Sequence, residues 1–513
     1  MKRFRRVSIV FLLCVLVFGA HGALWAGEDA SPDSSALPDA VSAGAGSSSF
    51  GASFGLGTAL VDGESYQSIS FIPDLAFGQF GIGLDVTLNY QLYRWSGDRM
   101  GFYVRAADWI IDEDGNARPD PWNDDSLQTY LDLYLSKIVY LRYGTKGSPL
   151  YVKLGLFEDG KLGNGFIMNG YANSLLRPEY SYSGLAFDLD GSLFGLPFVG
   201  IETFTNSVST FDIAGGRVYV RPLAPFSVPV LEKLQIGATA VLDSDPYVFM
   251  RRLDRTDLID DPDAKAAAVA ARDAELAKYG EADVLVCGID VRQPLVNLRG
   301  AFSLDLIGDF VLQGSASGAM VGIGGNLAFL SYGAQVRFLG ENFQPVYFDR
   351  SYDLSRVQKL KTYLLNTDEY GDETDLTGSP AMNGWYASAG TSLLGGKIAF
   401  FSSLEGPLGA PDGDAGNSAV AWPKLRSSLT VDGRQMLPVP VTLTAFYDKD
   451  YLKKPADVFS PENALVGAKL GYQLGAASIQ LTYNLKYVPE DRRIPGQEAW
   501  EVSSKLETVI SLN

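Results

Sequence analysis

Gln79–Arg94 reads QFGIGLDVTLNYQLYR. Phe80, Ile82, Leu84, Val86, Leu88, Tyr90 and Leu92 hold its even positions, with Gly81, Gly83, Asp85, Thr87, Asn89 and Gln91 between them. Successive side chains of a strand point to opposite faces, so this segment has one apolar and one polar face. It is long for a globular strand and matches one that crosses a bilayer. The pattern returns near the C-terminus, where Ala477, Ile479, Leu481, Tyr483, Leu485 and Tyr487 alternate with Ser478, Gln480, Thr482, Asn484 and Lys486. Alternation alone also fits a soluble sandwich with one wet face. The rest of the chain decides between them.

Lys2, Arg3, Arg5 and Arg6 precede the apolar run Val7–Ala20, and small residues offer cleavage after Gly22 or Ala26. This is the layout of a secretory signal over residues 1–26, and the run is too short for an anchoring helix. Beyond it no apolar run approaches 18 residues, which argues against a bundle of membrane helices. The spanning structure left is a closed barrel, in which neighbouring strands satisfy each other's backbone. Gly27–Ser49 is rich in Ser, Ala, Asp, Gly and Pro without periodicity and reads as a flexible periplasmic lead-in, residues 27–49. The barrel is expected over residues 50–513.

Composition removes several function classes. Taking away residues 1–26 leaves 38 basic against 60 acidic residues, a formal charge of −22 in place of −18. Such a balance disfavours nucleic acid and anionic lipid as partners and favours cations in a pore. Only Cys287 remains after cleavage, so no intramolecular disulfide and no multi-cysteine site can form. The one histidine, His21, lies in or beside the cleaved segment. A mature chain without histidine has no Ser-His-Asp, Cys-His or His-metal chemistry. No catalytic residue, metal site or cofactor is expected.

Alternating segments recur along the chain: Phe50–Leu60, Gln67–Phe77 (interrupted by Pro73), Phe80–Arg94, Leu150–Leu156, Gly184–Asp190, Val199–Thr205, Ile213–Arg221 and Leu234–Leu242. Asp283–Val291, Ala301–Val311, Met320–Phe338 as a hairpin, Trp385–Leu393, Ile398–Leu404, Leu425–Val431 and Val439–Tyr447 follow. Leu465–Leu474, Ala477–Tyr487 and Trp500–Leu512 close the series. Leu127–Tyr143 fits both a strand and a helical stripe, and its tyrosines and β-branched residues favour the strand. Allowing for splits and merges, the reading is an all-β, transmembrane antiparallel β-barrel of about 16 strands, range 14–18, with an even number. Long connections at Ser96–Ser126, Asp243–Ala282, Gly340–Gly384, Gly406–Pro423, Asp448–Asn463 and Val488–Glu498 contrast with tight ones such as Gly475-Ala476. Short periplasmic turns and long extracellular loops are the asymmetry such barrels show.

Two long loops carry helical pattern. Asp263–Tyr279 is Ala-rich, with Asp263 as N-cap and Gly280 as its stop. Ser355–Leu365 places Val357, Leu360 and Leu364 on one face, with Ser355 as cap. Each reads either as a short external helix or as a segment folded into the lumen.

Strand parity names the inward positions. Asp85, Asn89 and Gln91 share the polar face of the first clear strand. Arg217 and Arg221 point with Gly215 and Tyr219, opposite Val218 and Val220. Asp305 and Asp309 oppose Leu304, Leu306 and Phe310. Arg337 accompanies Gln335, and Lys505 and Glu507 oppose Leu506 and Ile510. An Arg or Lys facing lipid near mid-membrane costs about 2–4 kcal/mol, so these ten are the pore-lining candidates. A salt-bridged filling and a selectivity lining require the same residue types. Aromatics near strand ends (Tyr90, Tyr93 and Trp95; Tyr140 and Tyr143; Tyr447 and Tyr451; Tyr483, Tyr487 and Trp500) fit two interfacial girdles. Asp112–Asn116 has the start of a calcium loop, but Ala117 replaces the required glycine and Asn123 the closing Glu, so it reads as an acidic turn. Gly163-x-Gly165 is followed by Met168 where a dinucleotide fingerprint needs glycine.

Signal, alternation, unequal loops and the terminal strand Trp500–Asn513 together resemble a Gram-negative outer-membrane β-barrel of the porin-like kind. The terminal strand departs from that class in ending on Asn513 rather than an aromatic residue. The resemblance implies a bacterial outer-membrane channel, not an enzyme, for passive diffusion of small solutes, biased to cations or neutral molecules. Its partners are then membrane lipid and small solutes or ions. The alternatives are a plugged barrel for hydrophobic cargo and a non-conducting surface adhesin.

Overall fold

A computed structural model describes residues 49–512, apart from 62–63, 96–98, 106–107, 110–130, 132, 178–179, 227, 253–255, 257–258, 260, 299–300, 372, 374–375, 377, 410–421, 435–439, 476 and 489–498. The secretory segment, the lead-in except Ser49, and the acidic turn Asp112–Asn116 lie outside the described residues.

The strands are β1 (Ser49–Val61), β2 (Glu64–Phe77), β3 (Phe80–Leu84), β4 (Val86–Trp95), β5 (Arg99–Val104), β6 (Ile138–Tyr143), β7 (Leu150–Gly155) and β8 (Gly184–Asp190). Next come β9 (Val199–Thr205), β10 (Ile213–Val220), β11 (Gln235–Asp243), β12 (Val284–Leu298), β13 (Phe302–Gln313), β14 (Ala316–Leu327) and β15 (Leu330–Leu339). β16 (Met382–Leu393), β17 (Ile398–Pro407), β18 (Lys424–Asp432), β19 (Val441–Lys449), β20 (Ala464–Leu474), β21 (Ala477–Tyr487) and β22 (Trp500–Leu512) complete the sheet. Each pairs antiparallel with its neighbours, and β1 pairs with β22, from Ala52↔Leu512 to Leu60↔Ser504. The sheet therefore closes on itself as a ring, which is what backbone in lipid demands.

β3 and β4 are one wall strand, since both pair with β2 in continuous register. Pro73, opposite Leu84, lacks the N–H a ladder needs there, and the strand breaks at Asp85. β5 pairs with β4 alone. The ring thus has 20 strands plus one outlying strand, not about 16. The alternating segments named above already number 20, with Met320–Phe338 counted as two and Leu127–Tyr143 included, and the shortfall came from allowing for merges among them. β6 and β7 have 6 residues each and β8 and β9 have 7, yet all four are separate wall strands. Within Leu127–Tyr143 the strand reading holds only from Ile138, because Leu131 and Leu133–Leu135 are helical and Leu133 is buried.

Connections alternate between the barrel's two ends. One end carries 78–79, 144–149, 191–198, 221–234, 328–329 and 394–397, with the outer ends of β1 and β22, and the short connections 206–212 and 314–315 lie at the opposite end. The other carries 156–183, 244–283, 340–381 and 450–463. Three helices lie in that second set: α1 (Val248–Arg252), α2 (Pro262–Tyr279) and α3 (Tyr352–Leu364). α2 is capped by Asp261, whose carboxylate accepts from Ala264 N, not by Asp263, because Pro262 takes the first helical position. α3 begins a turn before the expected Ser355 and has Ser351 at its N-cap position. Among the described residues no helix is long and apolar enough to cross a membrane.

Outward strand positions are apolar and exposed, as at Phe310 and Leu312 on β13 and Val321 and Ile323 on β14. The buried apolar core lies inside the ring. Tyr151, Phe204, Val241, Val286, Val311 and Met320 of the wall pack against Phe157, Phe166, Met168 and Tyr171 of 156–183 and Phe343, Tyr347, Phe348, Tyr352 and Leu360 of 340–381. The lumen is therefore not a bare tube.

Candidate functional site

Two long connections fold inward and cross the lumen. The first, 156–183, touches the wall at both extremes. Asn164 Nδ2 donates to Asp309 on β13 at 2.9 Å and to Val291 O on β12 at 3.1 Å, while Arg177 Nη2 meets Asp85 at 3.1 Å on the far side. The second, 340–381, binds β18 through Asp349–Arg426 at 2.5 Å and β19 through Arg350–Asp448 at 3.4 Å. A few residues later Arg356 on α3 reaches Asp243 on β11 at 2.6 Å. A β-bridge between Met168 and Phe348 joins the two segments. Of the two helical loops, α3 is thus the one that lies within the lumen.

The seat of α3 is a buried charge cluster. Arg356, 2% exposed, pairs with Asp243 through Nη2 and Nε and with Asp212 through Nη1 at 2.7 Å, and Asp353 lies 3.9 Å away. Tyr352 donates to Asp243 at 2.7 Å, and Tyr171 and Tyr182 both donate to Asp353. Burial, reinforced by Asp212, raises the Asp353 carboxyl to about 7 against the pull of Arg356 and the two hydroxyls. One guanidinium facing three carboxylates makes a partly protonated state favourable. At the other end of the segment Asp349 is buried, but Arg426, Lys359 and Lys424 outweigh that and hold it well below the usual range. Burial lowers Lys359 to about 8 in spite of Asp349.

The two segments and the wall together line a partly open cavity. It runs between the β7–β9 wall, at Tyr151 and Phe204, and the β16–β18 wall, at Tyr386, Phe401 and Ser403. Its charged lining has both signs: Lys146, Lys161, Arg350 and Arg426, with Glu158, Asp159 and Glu405. Chemically its lining is mixed, with charged and hydroxyl groups set among aromatic and apolar surface.

The ten parity-derived residues are dispersed round the ring and are mostly paired. Arg217 meets Glu202 at 2.6 Å and Asp290 at 2.5 Å; Arg221 meets Asp190 at 2.8 Å; Asp305 holds Arg292 at 2.6 Å; Arg337 meets Glu405 at 2.6 Å. Lys505 and Glu507 pair at 2.8 Å beside Ser70. Asn89 donates to Asp108 at 2.9 Å, Gln91 to Ser65 O at 3.0 Å, and Asp85 and Asp309 meet the inward segment as described above. None of the ten touches the cavity, although Glu405, the partner of Arg337, does. Glu202 and Asp290 were legible by the same parity, flanked by Ile201 and by Ile289 and Val291. Lys161, Asp159 and Arg350 were not, since the connections have no periodicity. Of the aromatic pairs, Tyr140 is no girdle residue: its hydroxyl bonds Asp74 inside the barrel, whereas Tyr143 is exposed. The side chains of Tyr93 and Trp95 lie outside the described residues.

No family model matches the chain, and no curated protein does. Among solved structures it is similar to OccD3 (OpdP) of Pseudomonas aeruginosa, at 8% identity and a TM-score of 0.30, over 91% of each chain. OpdL of the same organism matches at 8% identity and 0.28, over 91% of this chain and 98% of that one. CdiB from Acinetobacter baumannii matches at 6% identity and 0.24, over 90% and 60%. At such TM-scores the likenesses assign no residue and no activity. The chain's own geometry is a closed antiparallel ring with an apolar outside and an inside filled by charge clusters and an aromatic core, as a membrane-spanning β-barrel requires.

Proposed function

We propose that this barrel is a porin-like channel of a bacterial outer membrane, through which small polar solutes diffuse passively. The short-turn end faces the periplasm and the long-loop end the exterior. The observation that carries this reading is the partly open cavity between the inward segments and the wall, with charged and hydroxyl groups in its lining. A lumen narrowed by loops, with polar groups at the narrow point, is how such barrels select. Because the lining has both signs, a preference for cations or neutral molecules would arise from the overall excess of 60 acidic over 42 basic residues rather than from the constriction itself.

The aromatic core inside the ring favours a second reading, a plugged barrel for apolar cargo. Swelling of proteoliposomes in neutral sugars of increasing size separates the two. Uptake with a size cut-off, together with a reversal potential of cation sign in a salt gradient, supports the channel. A folded barrel that admits neither sugar nor ion supports the plug.

A further inference from the structure

The wall is uneven in height. β8 and β9 have 7 residues each, against 13 in β1 and 15 in β12. Seven residues at about 3.4 Å, tilted by about 40°, rise only ~18 Å, short of the ~25 Å apolar band of such barrels. At the long-loop end the chain leaves β7 at Gly155 and runs into the lumen, so the missing height is not supplied there.

At the turn end it is supplied by two neighbouring connections, 191–198 and 221–234. They expose Leu193, Phe194, Phe198, Phe226, Val230 and Leu231, with Phe226 71% and Phe194 66% exposed. This apolar surface continues the outward face of the strands it joins, where Val220 and Ile236 are also exposed. Part of their backbone is bonded within the connections or lacks a donor. Pro197, Pro222, Pro225 and Pro229 carry no N–H. Leu196 N bonds Gly191 O, Ala224 N bonds Arg221 O, Phe226 N bonds Leu223 O, Glu232 N bonds Val228 O and Leu234 N bonds Leu231 O. Arg221 ties the two connections together through Asp190 at 2.8 Å and Pro197 O at 2.9 Å. Val230, at φ 69°, is a β-branched residue in a conformation such residues rarely adopt, and Gln293 holds its carbonyl at 2.8 Å. Fewer free N–H groups lower the cost of placing such backbone against lipid, and the exposed apolar side chains supply the favourable contact.

We infer that these two connections form an apolar apron inserted among the acyl chains of the turn-side leaflet, completing the low wall over β8–β11. Glu232 and Lys233 mark where the second connection returns to the headgroups. The inference rests on the membrane-barrel reading proposed above.

Site-directed spin labels test it in the reconstituted barrel, in a Cys287→Ala background. Labels at Phe226→Cys and Phe194→Cys are compared with Val321→Cys on the strand belt and Phe459→Cys, 89% exposed on a long loop. Barrel formation by each variant is checked by heat-modifiable mobility, and the two apron sites stand in for one another if one does not fold. The expected result is high collision with oxygen and loss of collision with a water-soluble nickel chelate at both apron sites, to the level of Val321→Cys. Nickel access at the apron equal to that at Phe459→Cys, with Val321→Cys still dry, overturns the apron and leaves the barrel reading standing. Nickel access at Val321→Cys as well overturns the barrel reading itself. Loss of both collisions with dipolar broadening between labels means a second copy covers the surface, and also overturns it.

Discussion

Arg356 on α3 and Asp243 on β11 make a two-point ion pair, Nη2 to Oδ1 at 2.6 Å and Nε to Oδ2 at 3.0 Å, with both residues essentially without solvent contact. They stand 113 positions apart in the chain. The pair fixes a loop helix to the inside of the wall. Arg356→Ala leaves Asp212 and Asp243 buried without their cation, a loss of about 3–5 kcal/mol for such sites. The expected outcome is faster hydrogen exchange across Tyr352–Leu364 with the ring itself intact. Arg356→Lys, which keeps the charge but not the planar fork, should fall between the two.

The wall has its own buried triad in Glu202, Arg217 and Asp290. Arg217→Met strands two carboxylates and should lower the denaturant midpoint of the barrel by the largest amount of any wall substitution named here. Adding Asp290→Asn to Arg217→Met should recover part of that loss, because the charge left unpaired is then removed. Equilibrium unfolding followed by gel mobility measures both.

Asp353 gives the lumen a pH dependence. Its carboxyl is raised to about 7 from an ordinary value near 3.8, chiefly by burial, so the folded state holds its proton more tightly than the unfolded one. The stabilisation is complete below about pH 4 and is lost as pH rises towards 7. Exchange of the α3 amides, corrected for intrinsic rates, should therefore increase between pH 5 and 7.5. Asp353→Asn should flatten that slope, while Tyr171 and Tyr182 retain an acceptor oxygen.

Charge at the cavity should set ion preference in opposite directions at two positions. Arg350 and Glu405 both line it. Arg350→Gln is expected to move the reversal potential in a salt gradient towards cations, and Glu405→Gln towards anions. Equal shifts of one sign would mean that the ions pass elsewhere.

The wall was legible in the sequence because alternation is local: Phe80 to Leu92 states its two faces without reference to any other segment. Strand number was less so, since a run as short as Leu150–Gly155 becomes a wall strand only by pairing with β6 and β8. The inward segments were not legible. Arg356 on a loop helix reads as a solvated charge until Asp212 and Asp243, brought close by the ring's closure, are seen to surround it. Gly163 to Phe166 show no period because their partners lie on β9, β12 and the other inward segment. Parity found Arg217 and Arg337, which hold the wall, but the cavity lies on connections that parity does not describe.

The most direct test of a narrowed but open lumen is single-channel current across a planar bilayer carrying the refolded, heat-modifiable barrel. Discrete ohmic steps that grow in size or flicker in Arg356→Ala are the expected result. A folded barrel that is electrically silent, in both the unaltered chain and Arg356→Ala, would contradict it.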